Sequence, residues 1–257
     1  MKYRLYKSVK RIKSLLATLV FREKQEIVIS NNYADFSKED NDIVDFVTPF
    51  TMTSPERIKV LLDSVRYVID NNLEGDYVEC GVWKGGSTLA VASILCNLNN
   101  FEKRLWLYDT FEGMSEPTNF DLDIDGRKAK DRLDLECKDS SWVWAFSELN
   151  EVTNTMSLSK YPTSKIKYVK GKVEDTLLTD EKPDKISILR LDTDWYESTK
   201  IELELLFPKV VKGGIIIIDD YGHWRGSRKA VDEYIKKNNL TIFLNRIDYT
   251  GRLIVKS

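Results

Sequence analysis

The sequence predicts a doubly wound α/β fold, in which helices cover both faces of a mostly parallel, seven-stranded sheet. Short apolar segments alternate with segments of helical periodicity from residue 77 onwards. Four consecutive isoleucines at 215–218 are typical of a strand that is buried on both faces. Acidic residues follow several predicted strands, at the edge where open α/β sheets bind ligands. The 257 residues suffice for one large domain with an attached segment.

The first 50 residues are predicted to form a helical segment ahead of an α/β domain that spans 51–257. An apolar stripe recurs there at steps of three and four residues, formed by Leu5, Val9, Ile12, Leu16 and Leu19. We interpret it as a packing, lid or oligomerisation helix, with a basic helix lying on a membrane surface as the alternative. The apolar stretch at 15–21 is too short to cross a bilayer and lacks a signal-peptide cleavage site.

The remaining elements follow in order. A helix is predicted to begin within 51–57, where capping residues precede Pro55 and Glu56, and its apolar positions are Ile58, Leu61, Leu62, Val65, Val68 and Ile69. Further helices are predicted up to about residue 98 and over 196–207 and 227–237, and strands over 77–80, 105–108, 166–169, 186–191, 215–218, 242–244 and 253–255. Residues 115–165 break the alternation and are predicted to be an insertion that covers the site as a substrate lid.

Composition excludes some classes of function. The 39 basic and 41 acidic side chains give a net charge of −2, which does not favour binding to nucleic acid. Cys80, Cys96 and Cys137 lie far apart without a zinc-binding pattern, so we expect a reducing, cytoplasmic location.

A glycine-rich turn follows the first predicted strand and reads E-x-G-x-x-x-G, with Glu79, Gly81 and Gly85 at the fixed positions and Ser87 behind them. Bare backbone in such a turn can approach a ligand closely. The turn matches neither the usual dinucleotide fingerprint nor the Walker loop. Glycines there can also serve packing alone, but packing explains the acid Glu79 less easily.

Acidic residues close three further predicted strands. Asp109 stands where nucleotide-binding folds place a carboxylate on ribose, although it could also cap the turn. Asp192, Asp219 and Asp220 converge on the same sheet edge, and clustered anions without basic partners require a cation such as Mg²⁺ or Mn²⁺. The alternative is that Asp192 or Asp220 caps a helix.

Together these motifs resemble the macrocin O-methyltransferase family, metal-dependent enzymes that use S-adenosylmethionine to methylate sugar hydroxyls in antibiotic and surface-polysaccharide pathways. The matching segments are 51–57, 78–88, 108–114, 171–177, 189–199 and 217–234. The resemblance implies a class I methyltransferase domain of Rossmann-like fold over 51–257, and a homo-oligomer.

The resemblance also implies roles for single residues. It places the methionine part of the cofactor near Met52, Glu79, Gly81, Gly85 and Ser87, ribose on Asp109, and adenine near Val173 and Glu174. It makes Asp192, Asp219 and Asp220 ligands of a divalent metal, Mg²⁺ before Mn²⁺ or Fe²⁺. Asp194 becomes the candidate general base, with a structural role at the next helix start as the alternative.

The predicted reaction is methylation of a sugar hydroxyl whose pKa a metal lowers, with Asp194 as proton acceptor. The Lys-, Asn- and Ile-rich composition favours a bacterial capsule or lipopolysaccharide sugar, and a glycosylated secondary metabolite is the alternative acceptor. A metal-dependent hydrolase would use the same aspartates without needing the glycine turn or Asp109. A non-catalytic scaffold would not be expected to retain both sets of residues.

His223 and the acidic run at 121–126 are not assigned a catalytic or metal-binding role. His223 is the only histidine, and we expect it to support the site or contact substrate instead of acting as base or ligand. The acidic run at 121–126 starts like a calcium-binding loop, but Arg132 occupies the position of the bidentate Glu, which argues against calcium. Its acids are expected to contact substrate or solvent.

Overall fold

A computed structural model describes residues 33–138 and 143–257. The compact unit Asp42–Ser257 contains the site and the elements below, apart from the first residues of the first helix. Residues 42–50, which the sequence assigned to the N-terminal segment, are therefore part of this unit. The predicted helix through residue 19 lies outside the described residues. No helix in the described ranges is long and apolar enough to cross a membrane.

Helices and strands alternate as the sequence predicts. The helices are α1 (Lys38–Val47), α2 (Pro55–Asp70), α3 (Gly86–Asn97), α4 (Ala129–Leu135), α5 (Leu149–Ser157), α6 (Val173–Thr176), α7 (Tyr196–Leu205) and α8 (Arg225–Lys237). The strands are β1 (Asp76–Cys80), β2 (Leu105–Asp109), β3 (Ile166–Lys170), β4 (Ile186–Leu191), β5 (Val210–Ile218), β6 (Asn245–Arg246) and β7 (Arg252–Val255). Single 3₁₀ turns occupy Thr48–Phe50, Thr163–Lys165 and Phe207–Lys209.

The seven strands form one mixed sheet in the order β3-β2-β1-β4-β5-β7-β6. The first five strands of this order are parallel, and β7 and β6 pair antiparallel at one end. β4 is buried throughout and β5 is buried over its four isoleucines, as expected for strands between two helix layers. The doubly wound, mostly parallel fold is thus confirmed.

Local boundaries differ from the sequence prediction for physical reasons. The predicted strand at 242–244 is wrong: the ladder begins at Asn245, while Ile242 and Leu244 pack against the sheet core without strand pairing. Their alternation with the exposed Phe243 reflects one-sided packing. α7 ends at Leu205 instead of residue 207, because Pro208 cannot donate a helical hydrogen bond and the chain turns there.

The insertion between β2 and β3 carries α4 and α5. A small apolar cluster lies beneath it, formed by Ala129, Leu133, Val143, Trp195 and Trp224. The rings of Trp195 and Trp224 meet edge to face, with centroids 4.9 Å apart. These two residues directly precede α7 and α8, so the insertion packs on the segments that lead from the sheet into both helices.

Candidate active site

A cleft of about 300 Å³ lies at the carboxyl ends of the parallel strands. It gathers most of the residues that the sequence singled out: Met52, Gly81, Ser87, Asp109, Val173, Glu174, Asp192, Asp194, Asp219 and Asp220. Residues of the insertion, including Met114 and Ser115, line its opposite wall. Glu79 and Gly85 were also predicted to contact the cofactor, but neither lines the cleft.

The glycine-rich turn after β1 packs directly on the end of β4. Gly81 has a left-handed backbone with φ of +83°, and a β-carbon there would lie 1.9 Å from the carbonyl oxygen of Asp192. Gly85, also left-handed, precedes the first residue of α3. The close approach to Asp192 leaves no room for a side chain at Gly81, so bare backbone lines the cleft at that residue.

Asp109 fixes the shape of that turn. Its Oδ2 accepts hydrogen bonds from the backbone N–H groups of Val82 at 2.7 Å and Trp83 at 3.2 Å, and its Oδ1 accepts from Phe111 N–H at 2.7 Å. Burial raises the pKa of Asp109, and these N–H donors oppose the rise. Asp109 lines the cleft as predicted and also holds the glycine turn in place.

Glu79 lies beneath the turn and is 1% exposed. Its Oε1 accepts from Arg190 Nη1 at 2.5 Å, and its Oε2 accepts from the hydroxyls of Tyr77 at 3.0 Å and Thr88. Burial raises its pKa. Both carboxylate oxygens are therefore engaged by protein donors, which places Glu79 as a support for the turn and for Arg190 in this structure.

Two arginines that were not predicted from the sequence, Arg190 and Arg57, pair with some of these acids. Arg190 Nη1 lies 2.6 Å from Asp192 Oδ2, and its Nη2 lies 2.7 Å from Asp219 Oδ1. Arg57 pairs with Asp219 Oδ2 and, through Nε, with Asp248 Oδ2 at 3.0 Å. One signal was available: Arg190 interrupts the apolar β4 two residues before Asp192, so both side chains leave the strand on the same face.

Among the described residues, Asp192, Asp194 and Asp220 form one acidic group, in which each offers an oxygen within 4.8 Å of the others. The sequence grouped Asp219 with Asp192 and Asp220 instead. In the structure both oxygens of Asp219 face guanidinium groups. Asp219 and Asp220 are adjacent in sequence but have different surroundings. Asp219 pairs with the two arginines, whereas Asp220 lies near the other two aspartates.

This acid cluster fits a cation. Asp220 Oδ2 is buried without a hydrogen-bond partner among the described residues. Arg57 and Arg190 pair with four carboxylates, those of Glu79, Asp192, Asp219 and Asp248, so two guanidinium groups do not balance the negative charge once Asp194 and Asp220 are added. An all-oxygen set suits Mg²⁺ or Mn²⁺. Asp194 has a left-handed backbone with φ of +65°, and burial raises its pKa to about 7.

The opposite end of the cleft is formed by the segment after β3. Glu174 Oε1 accepts from Ser198 Oγ at 2.5 Å, while its Oε2 is buried without a partner among the described residues. Such an oxygen suits an amino-group donor like that of adenine. Met52 lies at the mouth of the cleft and is 45% exposed.

His223 and the acidic run occupy different places. His223 lines the cleft, its Nδ1 lies 3.0 Å from the Tyr249 hydroxyl, and burial lowers its pKa. The expectation that the acids at 121–126 contact substrate or solvent is wrong for Asp121 and Asp123, which are buried. Both accept backbone hydrogen bonds that stabilise the insertion, whereas Asp125 is exposed.

The model of the macrocin-O-methyltransferase family matches residues 2–256. The chain is 34% identical, over 78% of its length and 73% of the relative, to demethyldecarbamoylnovobiocin O-methyltransferase of Streptomyces niveus. It is 32% identical, over the same shares, to 8-demethyl-8-(2,3-dimethoxy-alpha-L-rhamnosyl)-tetracenomycin-C 4'-O-methyltransferase of Streptomyces olivaceus.

Among solved structures, the O-methyltransferase NovP superposes with a TM-score of 0.70 at 32% identity, covering 81% of this chain and 82% of that one. The expected resemblance to this family is confirmed. By sequence, by fold and by the cleft at its sheet edge, the chain belongs to the macrocin-O-methyltransferase family and is an S-adenosylmethionine-dependent O-methyltransferase.

Proposed function

We propose that this methyltransferase acts on a hydroxyl of a sugar unit, with a divalent cation held at the acidic end of the cleft. The observation that carries the proposal is the cluster of Asp192, Asp194 and Asp220 beside the glycine turn. A metal-dependent hydrolase, the alternative enzyme class, would need these carboxylates but not the glycine turn. The match to a methyltransferase family argues against that alternative.

Asp192 and Asp220 are the core of the proposed cation site. We keep Asp219 as the third ligand, since a carboxylate oxygen that accepts from an arginine retains a second lone pair. The close approach of Asp194 makes it the competing third ligand. When bound, the cation would lower the pKa of the acceptor hydroxyl and fix its position.

Asp194 is the proposed proton acceptor. Burial raises the pKa of Asp194 to about 7 in the cation-free chain, and a bound divalent cation would lower that pKa and keep the carboxylate ionised, ready to accept a proton. Asp194 takes the hydroxyl proton as the oxygen forms its bond to the methyl carbon and the sulfur–methyl bond breaks. The products are a methyl ether and S-adenosylhomocysteine, and the proton remains on the carboxylate until solvent removes it.

The rest of the cleft serves binding and orientation. The backbone of the glycine turn would hold the methionine part of the donor, and Glu174 its adenine. Asp109 would contact the ribose while its oxygens also accept from the turn, so this contact stays a prediction. Ser115 and Met114 of the insertion face this end of the sheet and would exclude water from the reacting groups.

The acceptor class follows from the relatives. One of them is named for a rhamnosyl-bearing small molecule, which favours a glycosylated small molecule over the capsule or lipopolysaccharide sugar. The surface-polysaccharide acceptor stays a prediction, as does homo-oligomerisation.

Two measurements test the proposal. Metal-stripped protein is titrated calorimetrically with S-adenosylhomocysteine and then with Mg²⁺ or Mn²⁺, using Asp219→Ala and the exposed-acid control Asp125→Asn. We expect both ligands to bind, and metal binding to be lost only in Asp219→Ala. Turnover is then assayed by mass spectrometry on a rhamnosylated small molecule, a nucleotide sugar, an oligosaccharide and a catechol. Methylation of the catechol alone would overturn the sugar assignment.

A further inference from the structure

The insertion is tied to the acidic strand ends through one buried side chain, Asp121. Its Oδ1 accepts the backbone N–H of Tyr196, the first residue of α7, at 2.8 Å. Its Oδ2 accepts from the backbone N–H of Thr118 at 2.6 Å and from the Thr118 hydroxyl at 2.8 Å. Asp121 is 0% exposed and thus joins the insertion to α7 away from solvent.

The same carboxylate lies against the start of α8. A β-carbon at Gly226, the second residue of α8, would be 1.9 Å from Asp121 Oδ1. One residue earlier, the N–H of Arg225 donates to the carbonyl of Leu122 at 2.8 Å. Asp121 therefore sits between the N-termini of two long helices, where partial positive charge favours a carboxylate.

Both helices directly continue the segments that carry the acids. α7 begins two residues after Asp194, and α8 begins five residues after Asp220. Asp194 has a left-handed backbone, which for a residue other than glycine persists only where its surroundings hold it. The next residue is held as well, because Trp195 Nε1 donates to the carbonyl of Ser115 in the insertion at 3.0 Å.

We propose that Asp121 is a positioning residue that uses the folded insertion to fix the backbone of Asp194 and of the loop after β5. The insertion then does more than cover the cleft, since its closure sets the place of the proton acceptor. This inference rests on the proposed function, because it concerns the same reacting groups. Asp121 touches neither donor nor acceptor and acts only through the starts of α7 and α8.

The chain offers a matched control. Asp123 is 1% exposed in the same loop, and its hydrogen-bond and ion-pair partners lie within the insertion: Arg127 N–H at 2.9 Å and Arg132 Nε at 3.5 Å. Its charge also acts on His223 in the loop after β5, but among the described residues it makes no hydrogen bond or ion pair with the starts of α7 and α8. Asp123→Asn therefore perturbs the insertion without touching α7 or α8. Gly226→Ala perturbs the contact between Asp121 and the helix starts from the α8 side, because its added methyl group must displace the Asp121 carboxylate.

The test compares Asp121→Ala, Asp121→Asn, Gly226→Ala and Asp123→Asn. With a rhamnosylated small molecule as acceptor, Asp121→Ala and Gly226→Ala should lower kcat by about tenfold or more, because small misplacements of reacting groups are costly. Affinity for S-adenosylhomocysteine should stay within about twofold, since Asp121 does not line the cleft. Asp121→Asn, which keeps one acceptor oxygen for Tyr196, should recover part of kcat.

Amide hydrogen exchange gives a readout that needs no acceptor. Exchange at 192–198 should accelerate in Asp121→Ala and Gly226→Ala and stay unchanged in Asp123→Asn. Equal losses of kcat in Asp121→Ala and Asp123→Asn would overturn the proposal, as would unchanged exchange at 192–198. If no sugar acceptor is turned over by the unaltered enzyme, the proposed function fails while the exchange result still decides the role of Asp121.

Discussion

Gly81 and Asp192 are in backbone contact: a β-carbon on Gly81 would lie 1.9 Å from the carbonyl oxygen of Asp192. The turn that approaches the methyl donor and the strand end that bears the first acid are thus packed together without room for a methyl group. This contact fixes the distance between the two halves of the site.

Gly81→Ala should lose S-adenosylhomocysteine binding and lower the free energy of unfolding, because the turn must move away from Asp192. Gly126→Ala is the control, since Gly126 has a similar φ of +85° but only the Arg225 side chain nearby, at 3.4 Å. The control should cost only the strain of a left-handed backbone, about 1–2 kcal/mol. Calorimetric titration and urea unfolding measure both effects, and equal costs would refute a contact-specific effect.

Asp194→Asn separates the two roles open to Asp194. As the proton acceptor, its loss should lower kcat by about 10²- to 10⁴-fold while affinities for S-adenosylhomocysteine and Mg²⁺ persist. Loss of Mg²⁺ binding in the same variant would make Asp194 the third ligand in place of Asp219. Steady-state kinetics and calorimetry on one preparation give both answers.

Arg190→Met should destabilise the protein by about 3–5 kcal/mol, because Glu79, Asp192 and Asp219 would lose a buried counter-charge. Arg104→Met, at an exposed position, should change stability little. Urea unfolding at neutral pH compares the two. A small effect at Arg190 would mean that the carboxylates are neutralised in another way.

The metal-free protein should lose stability as pH rises from about 4 to about 7. Burial raises the pKa of Asp194 in the folded chain to about 7, so in this window the folded state binds more protons than the unfolded state. The contribution of Asp194 is fully present below its unfolded pKa and is lost as pH rises, with a slope of about 1 kcal/mol per pH unit. Asp194→Asn should flatten the slope, whereas Asp125→Asn should leave it unchanged.

The sequence predicted those parts of the structure that depend on local pattern. Strand ends and the turn after β1 can be recognised from short sequence segments. Because the carboxyl ends of parallel strands meet at one edge of a sheet, the sequence predicted Asp109, Asp192 and Asp220 to lie on that edge. The counter-charges did not follow, because Arg57 reaches Asp219 across 162 positions and Arg190 reaches Glu79 across 111. Hydrophobic periodicity carries no information about ion pairs between residues so far apart in the sequence.

The assignment of the third carboxylate also depends on information beyond local pattern. No local pattern signals the left-handed backbone of Asp194, and the two residues after it contact the insertion, through Trp195 Nε1 and the Tyr196 N–H. Likewise, the acidic residue types at 121 and 123 suggest surface positions. They are buried in the structure because the insertion packs on Trp195 and Trp224, a tertiary contact that local sequence does not indicate.

The insertion leaves the sheet at β2 and returns at β3, at the periphery of the strand order, whereas the acids end the central β4 and β5. A protein engineer who exchanges this segment with that of a relative would therefore leave the sheet intact. The graft would still need to reproduce the contacts of Ser115 with Trp195 and of Asp121 with Tyr196. In chimeras that preserve these two contacts, the range of acceptors should change while methyl transfer is retained.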